Sequence, residues 1–208
     1  MPDLRRAGGL LLIVSGPAGC GKTTVCDRLY QSHVPKLNKV ITTTTREPRE
    51  GEKDGVDYHF VSNRQFDDDL NKDAFYEHAI VHGSKYGVFK AAILGKLETG
   101  LDLVLNVDVQ GAATLRKAAA NDPLLGASLV SLFLMPANLE TIRQRLDERG
   151  KDDAQEIARR LKVAENEVAR WREYDYCIVS GSKEDDYARI DAIYKAEKIR
   201  VKRLVDEG

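Results

Sequence analysis

The stretch from Gly9 to Thr24 narrows the folding choices of this chain more than any other. Residues 9–15 (GLLLIVS) form an unbroken apolar run, and Gly16-Pro17-Ala18-Gly19-Cys20-Gly21-Lys22-Thr23 follows at once. A short run that is apolar on both faces predicts a strand buried from both sides, the situation inside a parallel sheet covered by helices. The segment after it meets every fixed position of the G-x-x-x-x-G-K-[ST] phosphate-binding pattern. Its glycines let successive backbone N–H groups curl around an anion, and the N-terminus of the next helix, expected from about Gly21 to Tyr30, adds positive potential behind them. The expected cradle runs through Gly16, Pro17, Ala18, Gly19, Cys20, Gly21, Lys22, Thr23 and Thr24. Lys22 can reach the β- and γ-phosphates of a nucleoside triphosphate, and the Thr23 hydroxyl can ligate Mg²⁺. Cys20 reads as a small loop residue without a role of its own.

Downstream, strand-like and helix-like segments alternate. Residues 101–107 and 128–134 are buried-strand runs, with a helix from Gly111 to Ala120 between them. Residues 138–149 and 153–173 are charged, amphipathic and helical, joined at Gly150. Residues 175–179 form a last strand before a helix over about 184–206. This order predicts an α/β fold with a doubly wound parallel sheet. Residues 40–90 break the alternation with aromatics, charges and short strand-like pieces, and read as an inserted mixed α/β subdomain. The expected division is a core of 9–39, 91–136 and 174–206, an insertion of 40–90 and a helical lid of 137–173, within one domain of 208 residues.

Charge narrows the partners. With 32 basic and 33 acidic residues, the formal net charge of -1 gives no bulk attraction to nucleic acid or to an anionic membrane. Any anion site must be local. The run Gly9–Val14 is too short to span a bilayer and carries no signal-peptide cleavage site, and the odd count of three cysteines shows no metal-ligand spacing. A soluble cytoplasmic protein with free thiols is expected.

A second basic cluster lies in the insertion. Arg46 and Arg49 flank Pro48, which stiffens the turn between them, and two guanidiniums on one rigid turn suit a phosphate monoester. Tyr58, Tyr86 and the lone acid Glu77 share the segment. Read singly, each is as compatible with a solvated or packed side chain as with a ligand.

Together, the loop and the runs Thr44-Thr45-Arg46-Glu47-Pro48-Arg49, Gly55-Val56-Asp57-Tyr58-His59-Phe60-Val61, Phe75-Tyr76-Glu77-His78-Ala79, Lys85-Tyr86-Gly87 and Asn106-Val107-Asp108-Val109-Gln110-Gly111 resemble the guanylate kinase family, in order and spacing, over about residues 10–204. The resemblance implies ATP and GMP (with dGMP) as small-molecule substrates, Mg²⁺ as the metal, and direct in-line phosphoryl transfer. It implies that Arg46, Arg49, Tyr58 and Tyr86 hold the GMP phosphate. Glu77, helped by Asp108 and Thr42, then reads guanine. A carboxylate is acceptor-only and pairs with the donor edge of guanine, whereas adenine would meet it with a bare lone pair. It further implies that Arg145, Arg149 and Arg160 close over the ATP phosphates and act in catalysis with Lys22 and Arg46.

Four positions depart from the family pattern. Val88 stands where a hydroxyl usually donates to guanine O6, and Thr42 replaces a serine but keeps the hydroxyl. Asn106 replaces a metal-organising aspartate, and Ser180 an asparagine near the expected adenine pocket. A related family of ribose 1,5-bisphosphate kinases shares the features of Val88 and Asn106, but Glu77, Asp108 and the Arg46–Arg49 turn suit a purine monophosphate better. Guanylate-kinase-like peptide-binding modules typically carry a degraded phosphate loop, and this one is whole.

Overall fold

The computed structural model describes residues 3–81, 83–147 and 154–206. The chain enters through β1 (Leu4–Arg6) and β2 (Leu11–Ser15), every residue of which is buried. After the glycine turn, α1 (Lys22–His33) lays Val25, Cys26 and Leu29 inward, and β3 (Leu37–Lys39) comes next. The chain then leaves to form β4 (Thr43–Thr44), β5 (His59–Phe60), α2 (Asn63–Asn71), β6 (Phe75–Val81) and β7 (Ser84–Phe89). It returns through α3 (Lys90–Glu98), β8 (Asp102–Asn106), α4 (Val109–Ala119), α5 (Pro123–Ser128) and β9 (Leu129–Met135). Two amphipathic helices, α6 (Leu139–Asp147) and α7 (Ala154–Val168), precede β10 (Tyr176–Val179), α8 (Lys183–Lys198) and β11 (Leu204–Asp206).

The central sheet has five strands in the order β10-β9-β2-β8-β3, and every pairing in it is parallel. The apolar run of β2 is explained by its two covered faces. Leu10, Leu12 and Val14 pack towards Val25 and Leu29 of α1 and Ile190 and Tyr194 of α8. Leu11 and Ile13 pack the other way, with Ile93 and Leu97 of α3 and Ala112 and Leu115 of α4. Each such side chain contributes about 1.5–3 kcal/mol on full burial, so β2 anchors the molecule and holds the start of the glycine turn in place. The α/β class with a doubly wound parallel sheet is as the sequence predicts.

Residues 43–89 hold a second sheet, ordered β5-β4-β7-β6. Its core is aromatic: Phe75 stacks on Phe66 of α2 at 4.6 Å and lies 4.4 Å from Phe89. The β6–β7 register shifts between Phe75 and Glu77, so the ladder is irregular just before the acid. Helices α6 and α7 pack on each other through Ile142, Ile157 and Ala164.

The C-terminus corrects one expectation. The helix predicted to run to 206 stops at Lys198, and β11 pairs antiparallel with β1. Tertiary contacts override helix propensity here. Fully buried Asp102 accepts from Arg6, from Tyr194 Oη at 2.7 Å and from the Leu10 amide at 2.9 Å. Buried Glu197 pairs with Arg203, which also donates to the Ala127 carbonyl. The chain must leave its helix for Arg203 to reach both.

Candidate active site

The phosphate loop sits at the C-terminal end of β2, where a doubly wound sheet opens its crevice. Gly16 has φ 140°, and a Cβ there would stand 2.4 Å from the Leu134 carbonyl oxygen, so only glycine lets the chain turn against β9. Gly21 caps α1, whose first-turn N–H groups have no helical acceptor and face the loop mouth. Lys22 Nζ donates to the carbonyls of Gly16 at 2.7 Å and Pro17 at 2.9 Å, which strings the cation across the loop. Pro17 and Cys20 are buried, Ala18 is exposed at the mouth, Gly19 is half-buried, and Thr23 and Thr24 are exposed on the first turn of α1. Burial pushes the neighbouring Cys26 thiol up to about 12, so no thiolate forms there near neutral pH.

Asn106 Nδ2 donates to Thr23 Oγ1 at 3.0 Å, which joins the end of β8 to the start of α1. A hydroxyl and an amide oxygen are hard donors, suited to Mg²⁺ that takes its remaining ligands from phosphate and water. Among the described residues no group of three or more His, Cys, Asp or Glu side chains forms a metal cage.

Facing the loop is the second sheet. One cleft of ≈ 430 Å³ is lined by Ala18 and Lys22 of the loop, by Asp108 at the start of α4, and by Thr42, Tyr58, Glu77 and Tyr86 from residues 42–89. The loop lysine, the two expected tyrosines and the expected base residues thus share one space. Glu77 is buried on β6, opposite Val88 of β7, and Val88 is buried in the same wall. Asp108 caps α4 by accepting from the Gly111 amide at 2.7 Å. Burial, and secondarily the charge of Asp108, pushes the Glu77 carboxyl up to about 7. Two carboxyl groups in an apolar-backed wall make an acceptor edge.

Arg46 and Arg49 do not line that cleft. Arg46 lies behind the tyrosines: Nη2 donates to both Glu52 carboxylate oxygens at 2.9 Å, Nη1 to the Glu47 carbonyl at 2.7 Å, and Nε to Tyr86 Oη at 3.3 Å. Its guanidinium also lies over the Tyr58 ring, 5.5 Å from the centroid. Because Tyr86 Oη accepts from Arg46, its own hydroxyl proton is left to donate into the cleft. The Arg49 side chain is exposed, and its backbone amide donates to Glu52 at 2.8 Å. That amide first, and the Arg46 guanidinium after it, hold the Glu52 carboxyl below the usual carboxylate range. Glu52 is one residue that sequence reasoning missed. It sits in a run of alternating charge that looks solvated, and the one signal was its place three residues after Arg49.

On the far side of the loop, α7 contributes Arg159, Arg160, Val163 and Glu167 to a cleft shared with Gly16, Ala18, Lys22 and Asp108. Arg160 lies there as expected, while Arg159 and Glu167 were not anticipated. Burial raises the Glu167 carboxyl, an effect that Lys22 opposes. Arg145 falls within α6, but its side chain lies outside the described residues, and Arg149 lies wholly outside them. Ser180 is buried and donates to Asp186 at 2.7 Å.

A glycine loop, lysine and threonine at the central edge of a parallel sheet define a P-loop nucleotide-binding protein, and the facing acceptor wall marks room for a second substrate. The family model for guanylate kinase matches residues 9–197. The chain belongs to the guanylate kinase family. It is 37% identical over 196 residues to a guanylate kinase of Clostridium perfringens strain 13, covering 94% of this chain and 87% of that one. It is 41% identical over 192 residues to that of Caulobacter vibrioides, covering 92% and 87%. The crystal structure of guanylate kinase from Anaplasma phagocytophilum superposes with a TM-score of 0.76 at 30% identity, over 96% of this chain and 92% of that one.

Proposed function

We propose that the protein transfers the γ-phosphoryl group of ATP to GMP, and to dGMP, by direct in-line displacement. One observation carries the substrate choice: Lys22 of the phosphate loop and the acceptor pair Glu77–Asp108 line a single cleft. An ionised Glu77 accepts from guanine N1–H and the exocyclic amine, and adenine offers no matching donor edge. Membership of the guanylate kinase family favours this reading over a sugar bisphosphate kinase or a peptide-binding module.

The roles rest on charge and reach. Residues 16–24 cradle the ATP phosphates, and Lys22 neutralises charge on the group in transfer. When bound with ATP, Mg²⁺ supplies further neutralisation between the phosphates, and Thr23 and Asn106 are the residues that would hold it. Tyr58 and Tyr86 donate hydroxyls to the GMP phosphate, with Arg46 and Arg49 supplying positive charge from behind. Thr42 adds a hydroxyl near the base. No general base is required, because the acceptor phosphate is already ionised near neutral pH.

Residues 40–90 act as the GMP-binding subdomain and 137–173 as the lid. Arg145, Arg149 and Arg160 come over the triphosphate on closure, which excludes water from the reacting phosphates. The expected setting is the cytoplasm, where Cys20, Cys26 and Cys177 would stay as free thiols. A coupled assay with ATP·Mg²⁺ and GMP, AMP or ribose 1,5-bisphosphate tests the proposal. Turnover is expected with GMP above the others, and no turnover with GMP ends the reading.

A further inference from the structure

Gly111 lies in the first turn of α4, and its backbone makes no demand for glycine. It is ordinary right-handed helix, outside the glycines of positive φ, and its amide serves the Asp108 cap at 2.7 Å. Glycine inside a helix is less favourable than alanine. A reason for it must come from outside the helix, and the neighbouring atoms supply one. A Cβ on Gly111 would stand 3.1 Å from Glu77 Cδ, 3.1 Å from Glu77 Oε1 and 3.3 Å from Asp108 Oδ1. Such separations are tighter than carbon and carboxylate normally tolerate, so a side chain at 111 forces one of the acids to move.

Neither acid has much slack. Glu77 is 7% exposed and its strand is held by β7, while Asp108 is tied down by its cap bond to Gly111. The way left open to Glu77 is outward, into the cleft where the base must come.

We propose that Gly111 is a positioning residue for base recognition. Its missing side chain is the recess in which the Glu77 carboxylate settles beside Asp108, and this sets the depth and angle of the acceptor edge. The proposal rests on Glu77 being the acid that reads guanine. The atoms nearest a Cβ at 111 belong to Glu77 and Asp108 and none to the phosphate loop, so the effect falls on GMP and spares ATP.

The test compares wild type, Gly111→Ala, Glu77→Ala and the double variant, titrated with GMP and separately with ATP, and melted. Gly111→Ala is expected to weaken GMP about tenfold or more, the loss of one well-aligned bond to a charged acceptor, with ATP affinity within about twofold. In turnover, KM for GMP rises more than kcat falls. In the Glu77→Ala background the same alanine is freed of both 3.1 Å contacts and keeps only the looser one, 3.3 Å from Asp108 Oδ1, so it raises the melting temperature, whereas in wild type it brings no rise. Unchanged GMP affinity in Gly111→Ala, or equal melting shifts in both backgrounds, overturns the proposal. If Gly111→Ala fails to fold, a folded double variant supports the clash, and an unfolded one overturns it. If Glu77→Ala binds GMP as wild type does, the reading of Glu77 itself has failed. If only Gly111→Ala is silent, the positioning role alone has failed.

Discussion

Replacing Glu77 by Gln should make the protein more stable while harming its work. In the fold the carboxyl titrates at about 7, against an ordinary 4.5, because burial disfavours its charged form and Asp108 adds like charge. The folded state therefore holds a proton that the unfolded chain has released between those two values. Stability from burying Glu77 as a neutral acid is complete below pH 4.5 and is lost as pH rises to about 7. At pH 8 the charged form must be buried. The gap between 4.5 and about 7, at about 1.36 kcal/mol per tenfold change in acidity, amounts to roughly 3 kcal/mol. Glutamine fills nearly the same volume without ionising. At roughly 2–4 °C per kcal/mol for a chain of this size, Glu77→Gln should melt about 6–12 °C above wild type at pH 8. At pH 4.5 the two should melt together. GMP affinity should fall by about 100-fold, since one acceptor becomes a donor facing a donor. The assay is thermal melting by circular dichroism at both pH values, with GMP titrated at pH 8. An equal difference at the two pH values, or a less stable variant at pH 8, refutes the burial argument. A protein that keeps such a residue gives up stability for recognition.

Other outcomes rest on the same geometry. Lys22→Ala should lower kcat by at least about 100-fold while leaving the GMP dissociation constant within about twofold, read by single turnover and calorimetry. Glu52→Gln loosens the two-pronged hold on Arg46 and should raise KM for GMP by about tenfold with little change in KM for ATP, since a charge-assisted pair becomes a neutral one. Asp102 pairs with Lys198 Nζ at 3.1 Å as well as with Arg6, so Asp102→Asn leaves both cations without their buried counter-charge and should cost about 3 kcal/mol in urea unfolding at neutral pH. The Arg6 and Tyr194 hydrogen bonds hold the Asp102 carboxyl below its ordinary 3.8 against the pull of burial. The deficit is therefore complete above that value and shrinks as acid protonates the wild type too.

The glycine loop was legible because its chemistry needs neighbours in sequence: amides from consecutive residues, a lysine and a hydroxyl at fixed offsets. The strand before it was legible because a segment covered on both faces has no polar alternation to confuse. The doubly wound order came from those runs. Sequence reading blurred where contacts join distant segments. Residues 38–45 look like one strand, yet Leu37–Lys39 joins the central sheet and Thr43–Thr44 the second, a division made by hydrogen-bond partners. The end of α8 depends on Arg203 finding Glu197 and the Ala127 carbonyl, which no local pattern announces. In the site, Glu77, Tyr58, Tyr86 and Asp108 were found as a set, although singly none stood out. Arg46 and Arg49 were expected to face the loop across the cleft. Arg46 instead backs the tyrosines, tethered by an acid 6 residues away whose role is invisible until the turn is folded.

The pairing of β1 with β11 brings Arg6 opposite Leu204, beside the strand starts where Asp102 lies, at the pole away from the glycine loop. Peptide grafted onto either extremity would emerge on the back of the molecule, clear of the path by which nucleotides enter. A circular permutant that bridges these two extremities and opens at an exposed loop should therefore keep an intact catalytic mouth. Cutting away β11 would uncover Arg6 beside its buried partner Asp102, and cutting away β1 would remove Arg6 itself.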